Sequence, residues 1–277
     1  MFLFIKIHSK KNKQMNVINQ LPQHYCEVDY ITKILKILEE KLPENFDFYI
    51  YNNDYIPNII KNDNIKIAIH VGNEVGWDIS NYDKVDLIFR FYQSENCDFQ
   101  KIFPINIGYN SSGNNEVSFL TEKDLPKRNI DVFFKGQKNH RENFFNNLRL
   151  NKYNQNIIQT DGFRQGDSIQ TYVETLSNTK ICLVPKGLSR ETFRYTEAFA
   201  SGCIVITTEK LSVWFYEKSP AYFVKNWSVV DDEFIENILN QDLKIEKEKS
   251  LQYYKEYLSP EATTNYIIKI LNEKEMF

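Results

Sequence analysis

The sequence lacks the signatures that mark several large protein classes. No run approaches the roughly 20 apolar residues that a membrane-spanning helix needs. It contains no Gly-x-Gly-x-x-Gly after a strand-like run, no Walker P-loop and no Gly-x-Ser-x-Gly elbow. These absences argue against a nicotinamide-dependent dehydrogenase, a P-loop nucleotidase and an α/β-hydrolase. An Asp-x-Asp pair that could hold a metal ion is also missing.

Cysteine and positive net charge are scarce as well. The four cysteines, Cys26, Cys97, Cys182 and Cys203, have no metal-ligand spacing, so reduced thiols in the cytosol are the simplest account. The formal net charge is −3, which argues against nucleic acid as a partner, because that needs a basic face. The apolar run in MFLFIKIHSKK is too short for a signal peptide. We therefore expect a cytoplasmic protein, with peripheral contact at the inner face of the membrane left open.

The most informative stretch is KICLVPKGLSRETFRYTEAFASGCIVIT, from Lys180 to Thr207. Its apolar and turn-forming residues predict a strand, a tight loop, a helix that Gly202 ends, and a second strand. Ser189 is expected to cap the helix. The predicted elements are the strand Ile181–Val184, the loop Pro185–Gly187, the helix Arg190–Ser201 and the strand Cys203–Thr207.

This predicted helix concentrates charge on one face. Arg190, Arg194, Glu197 and Ser201 follow a 4-3-4 spacing. Two arginines four residues apart repel each other unless water or an anion lies beside them, and the helix N-terminus adds partial positive charge. With Lys186, this environment suits a phosphate or diphosphate, and Glu197 would suit paired sugar hydroxyls. The alternative is a solvated helix face with an intrahelical Arg194–Glu197 pair.

The segment CLVPKGLSRETFRYTEAFASGCIVI resembles the donor-binding segment of exostosin-like glycosyltransferases. Their pattern is a strand, Pro-(Lys/Arg)-Gly, an Arg-x-x-Glu-Ala helix, and small-Gly-Cys-Ile before the next strand. The upstream piece DVFFKGQKNHRENFF is similar too, with Phe-Phe-x-Gly and an arginine five residues after Gly136. The resemblance runs from Asp131 to Thr207, with weaker agreement up to Phe223.

The resemblance implies the GT-B fold, an α/β architecture of two Rossmann-like domains facing a cleft, with a helical C-terminal tail. We expect residues 1–125 to form the acceptor domain and residues 126–277 the donor domain, with the last helix packing back on the first. The resemblance also implies a set of donor-binding residues. These are Gly136, Arg141, Lys186, Gly187, Arg190, Thr192, Arg194 and Glu197.

The pattern of the remaining chain also favours alternating strands and helices. A helical spacing of apolar residues runs from Cys26 to Leu42, whereas the polar stretch His8–His24 predicts an exposed loop. The strands predicted in the first half are Phe2–Ile7, Phe46–Tyr51, Ile65–Val71, Val85–Phe91 and Ile102–Ile107.

The stretch HVGNEVGWD, from His70 to Asp78, is the best candidate for the catalytic base. Two glycines flank Glu74 just after a predicted strand, where a loop carboxylate could take a proton from an acceptor hydroxyl. Glu74 is the first choice and Asp78 the second, and a solvated turn residue is the equal alternative for Glu74. His70 is expected to be a half-buried, hydrogen-bonded strand residue.

Together these features predict a metal-independent, inverting glycosyltransferase that needs no cofactor. It would move a sugar from a nucleotide-diphosphate sugar to a hydroxyl of a glycan or glycolipid, in surface polysaccharide biosynthesis. Two alternatives stay open: a transferase of another nucleotide-activated group, and a non-catalytic module that binds a nucleotide sugar.

Overall fold

The computed structural model describes residues 15–52, 58–72, 74, 82–92, 98–111, 118–121, 123–162 and 167–277. The chain divides into two compact units, Met1–Asn115 with Ser259–Phe277, and Glu116–Leu258. Each unit contains a five-stranded parallel sheet, and a long helix ends the chain. The expected α/β architecture of two Rossmann-like units with a helical C-terminal end is therefore confirmed.

Strands and helices alternate through most of the second unit, as the apolar pattern predicts, whereas the last four strands of the first sheet have no α-helix between them among the described residues. The strands are β1 Asn16–Asn19, β2 Phe46–Tyr51, β3 Ile65–His70, β4 Leu87–Arg90, β5 Ile102–Pro104, β6 Ile130–Gln137, β7 Gln155–Thr160, β8 Thr179–Leu183, β9 Ile204–Thr207 and β10 Tyr222–Phe223. The α-helices are α1 Val28–Lys41, α2 Glu142–Asn147, α3 Ile169–Ser177, α4 Phe193–Ala200, α5 Asp232–Leu239, α6 Leu243–Tyr253 and α7 Pro260–Glu273.

The first sheet has the strand order β1-β2-β3-β4-β5. Every residue of β2 is buried, as the continuous apolar run of a central parallel strand requires. Its one acidic residue, Asp47, accepts hydrogen bonds from the side-chain amides of Asn16, Asn62 and Asn64 at 2.7–2.8 Å. These three hydrogen bonds offset the free-energy cost of burying the carboxylate.

The strand β1 corrects one prediction, because it lies inside the stretch His8–His24 that the polar composition marks as a loop. Only Val17 and Ile18 are apolar in this strand, and its four residues are all half-buried. Among the described residues β1 pairs with β2, and this pairing supplies the order that the composition does not show. The predicted strand Phe2–Ile7 lies outside the described residues.

The C-terminal helix α7 belongs to the first unit. Ser259 caps it by accepting a hydrogen bond from the backbone N–H of Ala262 at 3.1 Å, and Pro260 occupies its first turn. The hydroxyl of Tyr30 in α1 lies 2.7 Å from Oγ1 of Thr263. This buried polar contact fixes α7 against α1.

The second sheet has the order β10-β9-β8-β6-β7. Its apolar core includes Phe134, Phe144 and Trp227. The rings of Phe134 and Phe144 pack at a tilt of 56°, and Phe144 packs edge to face on Trp227. Residues before β6 also belong to this unit, ahead of the boundary at residue 125 expected from the sequence. A hydrogen bond holds this preceding segment to the unit, because Nε of Arg128 donates to the carbonyl of Lys123.

No helix among the described residues combines the length and the apolar character that crossing a membrane requires. The free thiols of Cys26, Cys182 and Cys203 are buried, and Cys97 lies outside the described residues.

The contact between Gly108 and Tyr30 predicts a position in the first unit that accepts only glycine. Gly108 has φ of +68°, and an added Cβ would lie 2.3 Å from the Tyr30 ring. Left-handed strain of about 1–2 kcal/mol and overpacking of about 1–3 kcal/mol should add, so Gly108→Ala should lower the free energy of unfolding by about 2–5 kcal/mol. Urea unfolding followed by circular dichroism measures this loss.

Gly202→Ala is the matched control for this prediction. Gly202 has φ of +63°, but the atoms nearest to its added Cβ are Cγ of Lys247 at 3.0 Å and Cγ of Leu251 at 3.3 Å, which need to move by only a few tenths of an ångström. Its loss should exceed the backbone strain of about 1–2 kcal/mol by less than the loss at Gly108 does. Equal losses at the two glycines would show that the Tyr30 contact does not select glycine at position 108.

Candidate functional site

The second sheet has a topological switch point between β6 and β8. The chain leaves β6 through α2 to β7 on one side, and then passes through α3 to β8 on the other side of β6. In parallel α/β sheets, the crevice at such a point, at the carboxyl ends of the strands, is where ligands bind. The loops after β6 and β8 carry the segments from which the donor-binding residues were predicted.

Two arginines converge on the ring of Phe134, which lies in β6. The guanidinium carbon of Arg194 lies 4.6 Å from the ring centroid, and that of Arg141 lies 5.8 Å from it. Arg141 immediately precedes α2 and Arg194 lies in the first turn of α4. The fold therefore brings together two positive charges from segments that are more than fifty residues apart in the sequence.

Two glycines make this approach possible. A Cβ at Gly187 would lie 2.9 Å from Nη2 of Arg141, and a Cβ at Gly136 would lie 3.1 Å from Nη2 of Arg194. Either distance is shorter than ordinary van der Waals contact. Glycine at both positions thus lets each guanidinium lie directly on the backbone, and the predicted residues Gly136, Arg141, Gly187 and Arg194 form one cluster.

Part of the hydrogen-bonding capacity of this cluster is unused within the described residues. Nη2 of Arg194 donates to the carbonyl of Lys135, but its buried Nε has no partner. The buried Oγ1 of Thr192, whose methyl group lies beside Gly187, has no partner either. A buried polar group without a partner costs about 1–3 kcal/mol, which a bound ligand with acceptor oxygens would remove.

Glu197 lies one turn after Arg194 and is 3% exposed. Its Oε2 accepts a hydrogen bond of 2.8 Å from the hydroxyl of Tyr172 in α3. Burial and then the nearby Glu197 carboxylate raise the pKa of Tyr172 well above its usual value, so Tyr172 remains a neutral donor. None of the ion pairs between described residues includes Arg194, so the alternative of an Arg194–Glu197 pair is wrong.

The helix α4 begins three residues later than predicted, which changes the position of Arg190. Ser189 does not cap the helix, because its hydroxyl accepts a hydrogen bond from the N–H of Glu191 in a local turn. Arg190 therefore precedes the helix and does not share a face with Arg194. Its Nε donates to Oε2 of Glu209 at 2.7 Å instead.

The opposite face of α4 is anchored by aromatic residues. Tyr195 stacks on Tyr216 with ring centroids 4.4 Å apart, and its hydroxyl donates to Ser219 at 2.6 Å. Phe199 packs edge to face on Tyr253 of α6. Because these contacts fix the buried face, Arg194 and Glu197 are held in place on the other face.

The remaining predicted residues are Lys186, Glu74 and Asp78. Lys186 is exposed and has no hydrogen bond or ion pair within the described part of the chain. Glu74 is exposed and lies near Tyr25, whose pKa is raised by burial, then by Glu27 and to a lesser degree by Glu74. Asp78 lies outside the described residues. Within the described residues, no group of three or more His, Cys, Asp or Glu side chains could hold a metal ion.

Two residues of the cluster were not predicted as functional. Phe134 belongs to the Phe-Phe-x-Gly pattern of the sequence. That pattern does not show that both arginines lie over its ring, because this contact depends on the direction of β6. Tyr172 carries no sequence signal beyond its place on a predicted helix. His70 also differs from expectation, since it is 0% exposed rather than half-buried.

Comparison with known proteins identifies the fold but no family. No family model and no curated protein sequence matches the chain. Among solved structures, an alpha-glucosyltransferase in complex with UDP-glucose and DNA containing an abasic site matches with a TM-score of 0.50 and 11% identity, over 77% of this chain and 73% of that chain. This similarity shows a GT-B-like fold.

Two further structures are more distant. A GtfA/B complex matches with a TM-score of 0.44 and 13% identity, over 75% of this chain and 53% of that chain. A putative UDP-N-acetylglucosamine 2-epimerase from Listeria monocytogenes matches with a TM-score of 0.38 and 11% identity, over 91% of this chain and 80% of that chain. The resemblance to exostosin-like glycosyltransferases therefore stays a hypothesis.

The geometry of the cluster predicts that Arg194 binds a nucleotide diphosphate. Arg194→Ala removes a charge-assisted hydrogen-bond donor, so calorimetric titration with UDP and other nucleoside diphosphates should show binding weaker by about 1.5–3 kcal/mol. Arg149→Ala, at an exposed arginine of the same unit, is the control and should bind like the wild type. Unchanged affinity in a folded Arg194→Ala variant would contradict the assignment.

Proposed function

We propose that this protein is a glycosyltransferase that uses a nucleotide-diphosphate sugar as its donor. The observation that carries the proposal is the pair Arg141 and Arg194 on Phe134, at the switch point of a parallel sheet in a GT-B-like fold. We infer that this pair holds the diphosphate, with Gly136 and Gly187 keeping the backbone close to it.

A diphosphate suits this cluster on electrostatic and geometric grounds. Two guanidinium groups near one aromatic ring repel each other, and a dianion between or beside them removes the repulsion. Guanidinium groups also match phosphate oxygens with two parallel hydrogen bonds, which lysine cannot do. The unused Nε of Arg194 and Oγ1 of Thr192 supply further polar contacts.

The same cations would stabilise the leaving group during transfer. The bond between the anomeric carbon and the diphosphate oxygen breaks, and the electron pair stays on the diphosphate. Arg141 and Arg194, preorganised on Phe134, offset the charge that develops there. We propose that the enzyme needs no metal ion for this step. In this reading Glu197, oriented by Tyr172, accepts hydrogen bonds from the ribose hydroxyls of the nucleotide.

The acceptor would be a hydroxyl of a glycan or glycolipid bound by the first unit. Its oxygen attacks the anomeric carbon with inversion, and its proton passes to a carboxylate, for which Glu74 is the first candidate. Membership in the exostosin-like family, a role in surface polysaccharide biosynthesis and a cytoplasmic location, with or without peripheral contact to the membrane, belong to this proposal.

Turnover in the presence of a chelator tests the proposal directly. A panel of nucleotide-diphosphate sugars should yield sugar transfer or slow donor hydrolysis that survives excess EDTA, because arginines and not a metal ion neutralise the diphosphate. Release of the nucleoside diphosphate is the measurement. Tight donor binding without release, in any acceptor screen, would instead indicate a non-catalytic binding module. Activity that EDTA abolishes and Mg²⁺ or Mn²⁺ restores would disprove metal independence.

Glu74→Gln tests the assignment of the base. The change keeps the shape and removes the basicity, so turnover should fall by about 10²–10⁴-fold while the affinity for the donor stays near that of the wild type. Asp78→Asn provides the comparison and should be milder. A larger loss at Asp78 than at Glu74 would exchange their roles, and full activity in both variants would mean that another residue accepts the proton.

A further inference from the structure

Three buried polar side chains form one row at the carboxyl ends of β2, β3 and β4. Strand register pairs Tyr51 with His70, and His70 with Arg90, so the three side chains lie on one face of the sheet. The rings of Tyr51 and His70 stack with centroids 4.7 Å apart. Ligands of parallel α/β sheets bind at this edge, and the proposed donor site does not use the row.

Arg90 lacks the partners that a structural arginine has. It is 1% exposed, and within the described residues its guanidinium donates a single hydrogen bond, from Nε to the carbonyl of Phe91 at 3.4 Å. Its buried Nη2 has no partner among these residues. None of the ion pairs between described residues includes it.

Arg128 of the second unit shows the contrast. It is 2% exposed, and its terminal nitrogens donate to the carbonyls of Thr179 and Ser201 at 2.7 Å and to that of Lys123 at 3.1 Å. A buried arginine with a structural role therefore reaches several backbone acceptors in this protein. Arg90, by contrast, lacks such acceptors among the described residues.

His70 offers a second unused nitrogen in the same row. Its Nδ1 lies 2.8 Å from the hydroxyl of Tyr82, whereas its buried Nε2 has no partner in the part of the chain that the structure describes. Burial, together with the positive charge of Arg90, lowers the pKa of His70 to about 3, so the imidazole is neutral at pH 7. The contact with Tyr82 admits either tautomer, and the ring proton lies on Nε2 in the tautomer in which the Tyr82 hydroxyl donates to Nδ1.

We propose that His70 and Arg90 form an oxyanion-binding site, in which Nε2 of His70 and Nη2 of Arg90 donate to a carboxylate or phosphate group. A buried guanidinium is stable when an anion or several acceptors pair with it. One oxyanion supplies the charge and both acceptors. The anion would belong to the acceptor, as the carboxylate of an acidic sugar or the phosphate of a sugar phosphate; this last step rests on the proposed function.

The ring resonances of His70 report on the site directly. Protein labelled with ¹⁵N and ¹³C at histidine contains only four histidines, and His70→Asn identifies the His70 signals. Inorganic phosphate, glucose 1-phosphate and glucuronate are titrated without nucleotide, and methyl glucoside is the uncharged control. We expect saturable shifts of the His70 signals with the anions and none with methyl glucoside. Whichever of glucose 1-phosphate and glucuronate binds more tightly indicates whether phosphate or carboxylate is the native group.

Arg90→Met is the decisive variant, since it keeps the length of the side chain and removes the charge. Anion binding should weaken about ten- to a hundredfold, the loss expected of a charge-assisted hydrogen bond. Arg90→Lys, which retains the charge, serves if Arg90→Met does not fold, and should weaken binding less. The exposed Arg149→Ala is the control and should titrate like the wild type.

Two outcomes would overturn the proposed oxyanion site. In the first, no anion shifts the His70 signals of the wild type. In the second, a folded Arg90 variant shows the same shifts with unchanged affinity for the anion. The first would mean that a buried water or nothing occupies the row. Repeating the titration in Arg194→Ala separates this site from the donor site. If the anions still shift the His70 signals but no nucleoside diphosphate binds to the wild-type protein, the oxyanion site is supported and the proposed donor site is disproved.

Discussion

The packing of two guanidinium groups on one phenylalanine ring is the constraint on which the second unit depends. Arg141 and Arg194 can reach Phe134 only because β6 and β8 lie side by side and because Gly136 and Gly187 have no side chain. The aromatic face offsets part of the repulsion between the two cations. The anion proposed to bind at the switch point would offset the rest, so the arrangement would favour a phosphate-bearing ligand over a neutral one.

Three arginines show different solutions to the burial of positive charge. Arg128 donates to backbone carbonyls and so fixes the start of the second unit. Arg194 combines one carbonyl with a ring face and keeps its Nε unused. Arg90 donates a single long hydrogen bond within the described ranges of the chain. A bound anion stabilises a buried arginine more when the protein itself supplies fewer hydrogen-bond acceptors. The number of acceptors therefore distinguishes the structural Arg128 from Arg194 and Arg90, which are proposed to bind ligands.

The first unit contains the end of the chain, Ser259–Phe277, as well as the N-terminal segment Met1–Asn115. Tyr30 contacts Gly108 on one side and Thr263 of α7 on the other, and its hydroxyl also donates to Asn106 at 2.9 Å. One tyrosine in α1 thereby joins three distant parts of the sequence. Such a buried, fully hydrogen-bonded network fixes one packing arrangement, because any shift of α7 would leave polar groups unpaired.

Local sequence determined the elements whose signals are local. The buried run of β2, the apolar spacing of α1 and the end of α4 at Gly202 match the structure because apolar periodicity and the left-handed glycine act within a few residues. The resemblance placed Gly136, Arg141, Gly187 and Arg194 in a larger set of eight donor-binding residues. Only tertiary structure decided that the two arginines meet on Phe134, that β1 is a strand, that Arg190 turns to Glu209, and that His70 is buried beside Arg90. These outcomes depend on which strands are neighbours, and pairing over long sequence distances leaves no periodic trace in the residues themselves.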